Sequence, residues 1–230
     1  MEKDFSKLEK NIGVKFNNPD LIRQSVVHRS YLNEHTSFEL GNNERLEFLG
    51  DAVLELVVTE HLFLNYENPE GELTNWRASL VCGKMLAQLS QKIDLEDFLF
   101  LSKGESKDTG KARHYILANA MEAVIGAIYI DQGWDASKKF IEKVVLSELQ
   151  NILDNKLYLD PKSHFQEVSQ EKAGVTPSYK VMDESGPDHD KIFEIGLFLK
   201  NDLITKGKGS SKQEAQEDAA ANALKLDDWK

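Results

Sequence analysis

Residues 43–63 read "NERLEFLGDAVLELVVTEHLF", an almost unbroken apolar run into which Glu44, Glu47, Asp51 and Glu55 are set. At 3.6 residues per turn these four positions fall within an arc of roughly 80°. Around the rest of the circumference stand Leu46, Phe48, Leu49, Ala52, Val53, Leu54, Leu56 and Val57, the pattern of a helix buried on nearly every side. A stripe of acids can simply be a solvated face. This one is narrow and carries a single sign of charge, and like charges at i+3 and i+4 repel unless something positive sits among them. The pattern points to a metal ion or a cationic partner.

A second stretch, "YILANAMEAVIGAIYID" (115–131), is also apolar nearly all round, and its interior polar side chains are Asn119 and Glu122. Their i, i+3 spacing puts them on one face. A carboxylate in such a helix is costly unless it is partnered. A base from elsewhere in the fold is one solution. The other is that the two helices face each other and offer several carboxylates plus one amide oxygen, a hard donor set suited to Mg²⁺ or Mn²⁺. A cation held this way can activate water and clamp a phosphate.

The 230 residues are 40% hydrophobic and 29% charged, enough for one large domain or two small ones. No apolar run reaches the ~18 residues of a membrane span, and "MEKDFSKLEK" lacks a signal-peptide pattern, so a soluble, cytoplasmic protein without a membrane partner is expected. The single cysteine, Cys82, excludes an internal disulfide and a cysteine-based zinc site and reads as a packed thiol.

Helical patterns dominate residues 1–150, among them 6–16, 18–32, one long helix over 71–95, 115–131 and 135–153, with a polar loop at 103–113. The character then changes. After a linker at 151–158, residues 159–229 read α-β-β-β-α: a helix opened by Pro161 and stopped by Gly174, three alternating segments, and a last helix "SSKQEAQEDAAANALKL". The fold class is therefore mainly α, an all-helical domain followed by a small α+β domain.

"NERLEFLGDAVL" resembles the nine-residue signature of bacterial ribonuclease III, and "ILANAMEAVIGAIY" its second acidic motif. "HRS" at 28–30 and the module from residue 160 onward, which is similar to a double-stranded-RNA-binding domain, stand where that family has them. The resemblance covers essentially the whole chain and implies a dimeric, Mg²⁺-dependent endoribonuclease that cuts duplex RNA to 5′-phosphate and 3′-hydroxyl ends with short 3′ overhangs and processes ribosomal and messenger RNA precursors. It implies that Glu47, Asp51, Asn119 and Glu122 surround the metal, with Asp51 and Glu122 the catalytic acids. Glu44 and Glu70 become accessory acids, the latter reaching RNA from the dimer partner, and Phe48 becomes a ball inserted into the other subunit. The family often has Asp where this chain has Asn119. An amide oxygen still ligates a hard cation but brings no charge, so weaker metal affinity is expected. The alternative is a catalytically impaired dimeric binder of double-stranded RNA.

Net charge is −11 overall and −4 from residue 160 onward. Duplex binding must therefore rely on local placement of cations, not on a basic surface. "KGKGSSK" concentrates Lys206, Lys208 and Lys212 at the start of the last helix, a candidate phosphate site. By resemblance, Gln166 and His189 face successive minor grooves and Lys212 meets the intervening phosphates, with Lys208 a further RNA-binding candidate from its place in this segment. Gln213 and Gln216 stand where the family often has lysines, so fewer phosphate contacts and a shallower salt dependence are expected.

Overall fold

The computed structural model describes residues 3–107, 110–187 and 191–229. They fall into two units, Met1–Tyr158 and Leu159–Lys230. In the first, the Asp4 carboxylate accepts from the Ser6 N–H to cap α1 (Phe5–Ile12), and Gly13 ends it in the left-handed region at φ 75°. Asn18 caps α2 (Pro19–Ser25). The 18–32 pattern does not continue as one helix. Its backbone leaves helical geometry at Val26, where the Phe100 N–H donates to the Val26 carbonyl (2.9 Å) and the His28 N–H to the Phe100 carbonyl (3.1 Å). The chain re-enters helix as α3 (Arg29–Glu34), capped by His28.

The central pair consists of α4 (Glu44–Asn65) and α7 (Lys111–Val144). Asn43 fixes the start of α4: it is buried, its Nδ2 donates to the Ser25 carbonyl at 3.3 Å, and its backbone N–H donates to the Val27 carbonyl at 2.9 Å. Leu54, Val57, Val58 and Leu62 of α4 share one core with Leu117, Met121, Val124, Ile125 and Ile128 of α7. Each such side chain contributes about 1.5–3 kcal/mol by leaving water. The crossing is made on glycines: a Cβ at Gly50 would fall on the Glu122 carbonyl, and one at Gly126 on the Leu46 carbonyl. With no side chain at either position, the two acid-bearing backbones touch.

Two helix boundaries differ from the sequence reading. The long helix expected over 71–95 is α5 (Glu70–Val81) and α6 (Gly83–Lys92), separated by extended backbone at Cys82 (φ −66°, ψ 149°). That break leaves Cys82 exposed, not packed. Conversely, the patterns at 115–131 and 135–153 join across a kink at Gly133 (φ 81°), a conformation open to glycine, and the helix closes at Val144. A short α8 (Leu149–Asp154) follows.

In the second unit, α9 (Pro161–Ala173) is capped by Asp160, which accepts from the Ser163 N–H, and ends at Gly174 with φ 65°. Strands β1 (Pro177–Ser185), β2 (Ile192–Leu199) and β3 (Asp202–Gly209) form an antiparallel sheet in that order. Ser211 caps α10 (Lys212–Ala223), accepting from the Glu214 N–H, and the Glu214 carboxylate reaches back to accept from the Ser210 N–H at 2.8 Å, one residue before the cap. Phe165, Leu197, Leu199, Ala219, Ala220 and Ala223 make a separate core. Among the described residues no helix is long and apolar enough to cross a membrane.

Candidate active site

The acids of α4 are not equivalent once α7 lies against them. Asp51 and Glu44 are exposed, Glu47 is half-buried, and Glu122 of α7 is half-buried beside the crossing. Asn119, one turn earlier on α7, donates an amide hydrogen bond to Glu47. Burial pushes the Glu122 carboxyl up to about 7, with the charges of Asp51 and then Glu47 adding to the effect. Glu47 is raised chiefly by burial and by Glu44, a rise that the Asn119 bond opposes. At neutral pH three carboxylates are thus held within mutual repulsion at the Gly50–Gly126 crossing. The donors are oxygen only, and Glu122 keeps its proton up to about 7 because it is buried and then because its neighbours are acids. This chemistry fits a hard divalent cation. Among the described residues no three His, Cys, Asp or Glu side chains close around a single point, so the acids form an open cluster.

Beside this cluster lies a cleft of about 480 Å³ lined by His28, Arg29, Asn43, Glu44, Glu47, Glu105 and Asn119. Glu44 pairs with Arg29 at 3.6 Å. The imidazole of His28 is pushed down mainly by burial, with Glu105 opposing and Arg29 adding. In the sequence, "HRS" stands out only as a family landmark and Glu105 only as a loop charge. Their placement depends on the Val26–Phe100 pairing, for which the sequence carries no local signal. Gly50 and Gly126 do leave a trace: a glycine inside an otherwise strong helix usually marks close approach.

Other expected residues lie elsewhere. Glu55 pairs with Arg77 at 3.7 Å and is not part of the cluster. Glu70 opens α5 and lines a second groove, of about 620 Å³, with Phe63, Tyr66, Leu73 and Arg77. Within one chain it does not join the acids. Phe48 is 82% exposed. On α4, Phe48, Ala52, Leu56 and Phe63 fall within an arc of roughly 80°, and all four are exposed, an apolar stripe running alongside the acids.

In the second unit Gln166 is exposed on α9 and Lys212 opens α10. The expected gathering of Lys206, Lys208 and Lys212 is not formed. Lys208 is paired with Glu194 and Lys206 with Gly196 in the β2–β3 register, whereas Gly207 between them lies against Ala215 and Ala219 of α10. Strand alternation therefore turns both lysines to the face away from the helices, where Glu194 accepts from Lys206 (2.8 Å) and meets Lys208 (3.3 Å). Lys212 pairs instead with Glu184 at 3.5 Å. A cation for which the sequence gives no signal reaches α10 instead: Lys162 of α9 donates to Gln216, one turn beyond Lys212, at 2.7 Å. His189 lies outside the described residues.

Comparison with known proteins agrees with this division. The Ribonuclease-III-like family model matches residues 18–149, and the double-stranded RNA binding motif matches residues 161–226. The chain is 42% identical over 220 residues to a protein named Ribonuclease 3 from Desulforamulus reducens, covering 95% of this chain and 89% of that one. A Ribonuclease 3 from Carboxydothermus hydrogenoformans is 44% identical over 220 residues, covering 95% and 94%. Among solved structures, the nuclease domain of ribonuclease III from Campylobacter jejuni, described for flexibility in a region involved in dimer formation, matches with TM-score 0.57 and 36% identity over 63% of this chain and 97% of that one.

Proposed function

Because this chain belongs to the ribonuclease III family of endoribonucleases, we propose that it hydrolyses double-stranded RNA in a reaction dependent on Mg²⁺ or Mn²⁺. The observation carrying this reading is the oxygen-only cluster of Glu47, Asp51, Asn119 and Glu122 on two touching helices, with Glu122 pushed up to about 7 by burial and by the neighbouring acids. These four residues would hold the cation. When bound, it would supply Lewis-acid stabilisation of charge on the phosphate and activation of water. Asp51 and Glu122 are the acids nearest the chemistry in this reading. The amide of Asn119 would orient Glu47, and its carbonyl oxygen would serve as a neutral ligand. Glu44 and Glu70 are accessory, Glu70 reaching the substrate only from a second subunit.

The products are 5′-phosphate and 3′-hydroxyl ends with short 3′ overhangs, and the substrates are structured ribosomal and messenger RNA precursors in the cytoplasm. Two staggered cuts require two clusters, and the exposed Phe48, Ala52, Leu56 and Phe63 stripe fits a homodimer built about a two-fold axis. Residues 1–150 act as nuclease and dimerisation domain. Residues 151–158, expected as a linker, instead belong to the first unit through α8, Ile152 and Tyr158, and residues 159–229 grip duplex RNA by its shape and phosphates. Gln166 and His189 face minor grooves there, and Lys212 with Lys162 meets the phosphates between them.

The test is cleavage of a long perfect RNA duplex by purified protein with Mg²⁺ or EDTA, beside Asn119→Asp. Cutting only with metal is expected of the chain as it stands. Binding without cutting, with activity appearing only in the Asp variant, would make the native chain an impaired enzyme. Failure of both forms would overturn the nuclease reading in favour of a duplex-binding protein.

A further inference from the structure

The cleft beside the acids carries two nitrogen donors that the metal-binding cluster does not use. Of the residues lining it, three are carboxylates, Glu44, Glu47 and Glu105, and Arg29 is the one permanent cation. An RNA strand crossing this cleft presents phosphates to those carboxylates, and a cation bound at the cluster answers only the phosphate directly above it. Every neighbouring phosphate needs its own donor.

Arg29 is built to supply one. Its side chain is 74% exposed and among the described residues makes one loose pair, with Glu44 at 3.6 Å, the kind of surface pair that contributes little. Exchanging that carboxylate for a phosphate loses almost nothing and gains the two-pronged geometry that guanidinium offers an oxyanion. Glu44, in the first turn of α4, meanwhile keeps the guanidinium parked at the cleft mouth.

His28 complements it. Nδ1 accepts from the Ser30 N–H at 3.4 Å and lies 2.8 Å from Ser30 Oγ. Ser30 Oγ in turn accepts from the Ser102 N–H at 3.1 Å, so the ring is braced from two segments. With Nδ1 used as acceptor, the neutral ring carries its proton on Nε2. That leaves Nε2 as a neutral donor on a residue that lines the cleft. The lining holds no Phe, Tyr or Trp on which a base could stack, so it suits the sugar–phosphate backbone and not a flipped base.

We propose that His28 and Arg29 form a backbone clamp that holds a phosphate of the RNA strand next to the scissile one, Arg29 by charge and His28 by a neutral hydrogen bond. The proposal rests on the duplex-RNA nuclease reading and assigns positioning roles, not catalytic ones, to the two residues.

Binding of a short labelled RNA duplex is measured against KCl concentration in the full chain carrying Glu122→Gln to prevent turnover. KM and kcat are measured in the otherwise native chain. Arg29→Gln is expected to weaken binding roughly tenfold at low salt and to flatten the slope of log affinity against log salt by about 0.9 for each phosphate left without its cation. Arg29→Lys should keep the slope while recovering only part of the affinity. His28→Ala should raise KM with the slope unchanged, because no charge leaves. An unchanged slope in Arg29→Gln, or a weakening that tracks a lowered melting temperature, would overturn the clamp. If the native chain neither binds nor cuts duplex RNA, the nuclease reading itself has failed; cutting by the native chain with an unaltered Arg29→Gln slope sinks the clamp alone.

Discussion

Replacing Glu122 with Gln should stabilise the metal-free protein at alkaline pH while abolishing metal-dependent cleavage. The carboxyl is pushed from 4.5 up to about 7 by burial and by Asp51 and Glu47. The folded state therefore holds a proton that the unfolded state has released between those values, so stability falls as pH rises through that window. At about 1.36 kcal/mol per pH unit the full effect is about 3.4 kcal/mol. Glu122 is only half-buried, and solvent screening reduces this to about 2 kcal/mol. In EDTA at pH 8, Glu122→Gln should thus melt about 4–8 °C above the native chain, whereas at pH 5 the two should nearly coincide. Adding Mg²⁺ should raise the melting temperature of the native chain and close the gap, because the cation supplies the missing counter-charge. Scanning calorimetry at the two pH values, with and without Mg²⁺, decides the matter. A pH-independent difference, or a variant less stable than native at pH 8, would show that the charged form of Glu122 is not disfavoured by its burial and neighbouring acids and would remove the main support for the cation site.

Gly126→Ala should cost about 3 kcal/mol or more, since its Cβ would fall on the Leu46 carbonyl; chemical denaturation measures this, and a neutral result would mean the helices do not meet as described. Phe48→Glu should shift sedimentation toward monomer and reduce cleavage while leaving the fold intact, because Phe48 is 82% exposed in the single chain; an unchanged oligomeric state places the interface elsewhere. Gln213→Lys with Gln216→Lys should tighten duplex binding and steepen its salt slope by up to about 1.8, and an unaltered slope would take the start of α10 out of the phosphate contact. Lys208→Gln should leave that slope nearly unchanged, since Lys208 lies on the far face of the sheet with Glu194.

The helices of this protein were legible because their causes are local. Apolar spacing, the Asn18–Pro19 and Pro161 openings and the Gly174 stop act within a turn or two, and so does the alternation that marks the three strands, whereas the 6–16 pattern is cut short at Gly13 and its helix opens earlier, on the Asp4 cap. Helix continuity was less so. The break at Cys82 and the departure at Val26 oppose the local pattern, and the latter is fixed by Phe100, more than seventy residues away in sequence. The acidic stripe on α4 and the Asn119–Glu122 pair on α7 were visible as chemistry that needed a partner. That they meet, and how tightly, was decided by Gly50 and Gly126, where the absence of two side chains lets one backbone rest on the other. The lysines show the same division. Sequence proximity suggested that Lys206, Lys208 and Lys212 act together, but strand alternation sends two of them to the opposite face, and Lys162, fifty residues earlier in the chain, arrives through Gln216. Sequence determined which groups this protein carries and on which element each stands. Only packing, which sums contacts between residues distant along the chain, decided which of those groups share a site.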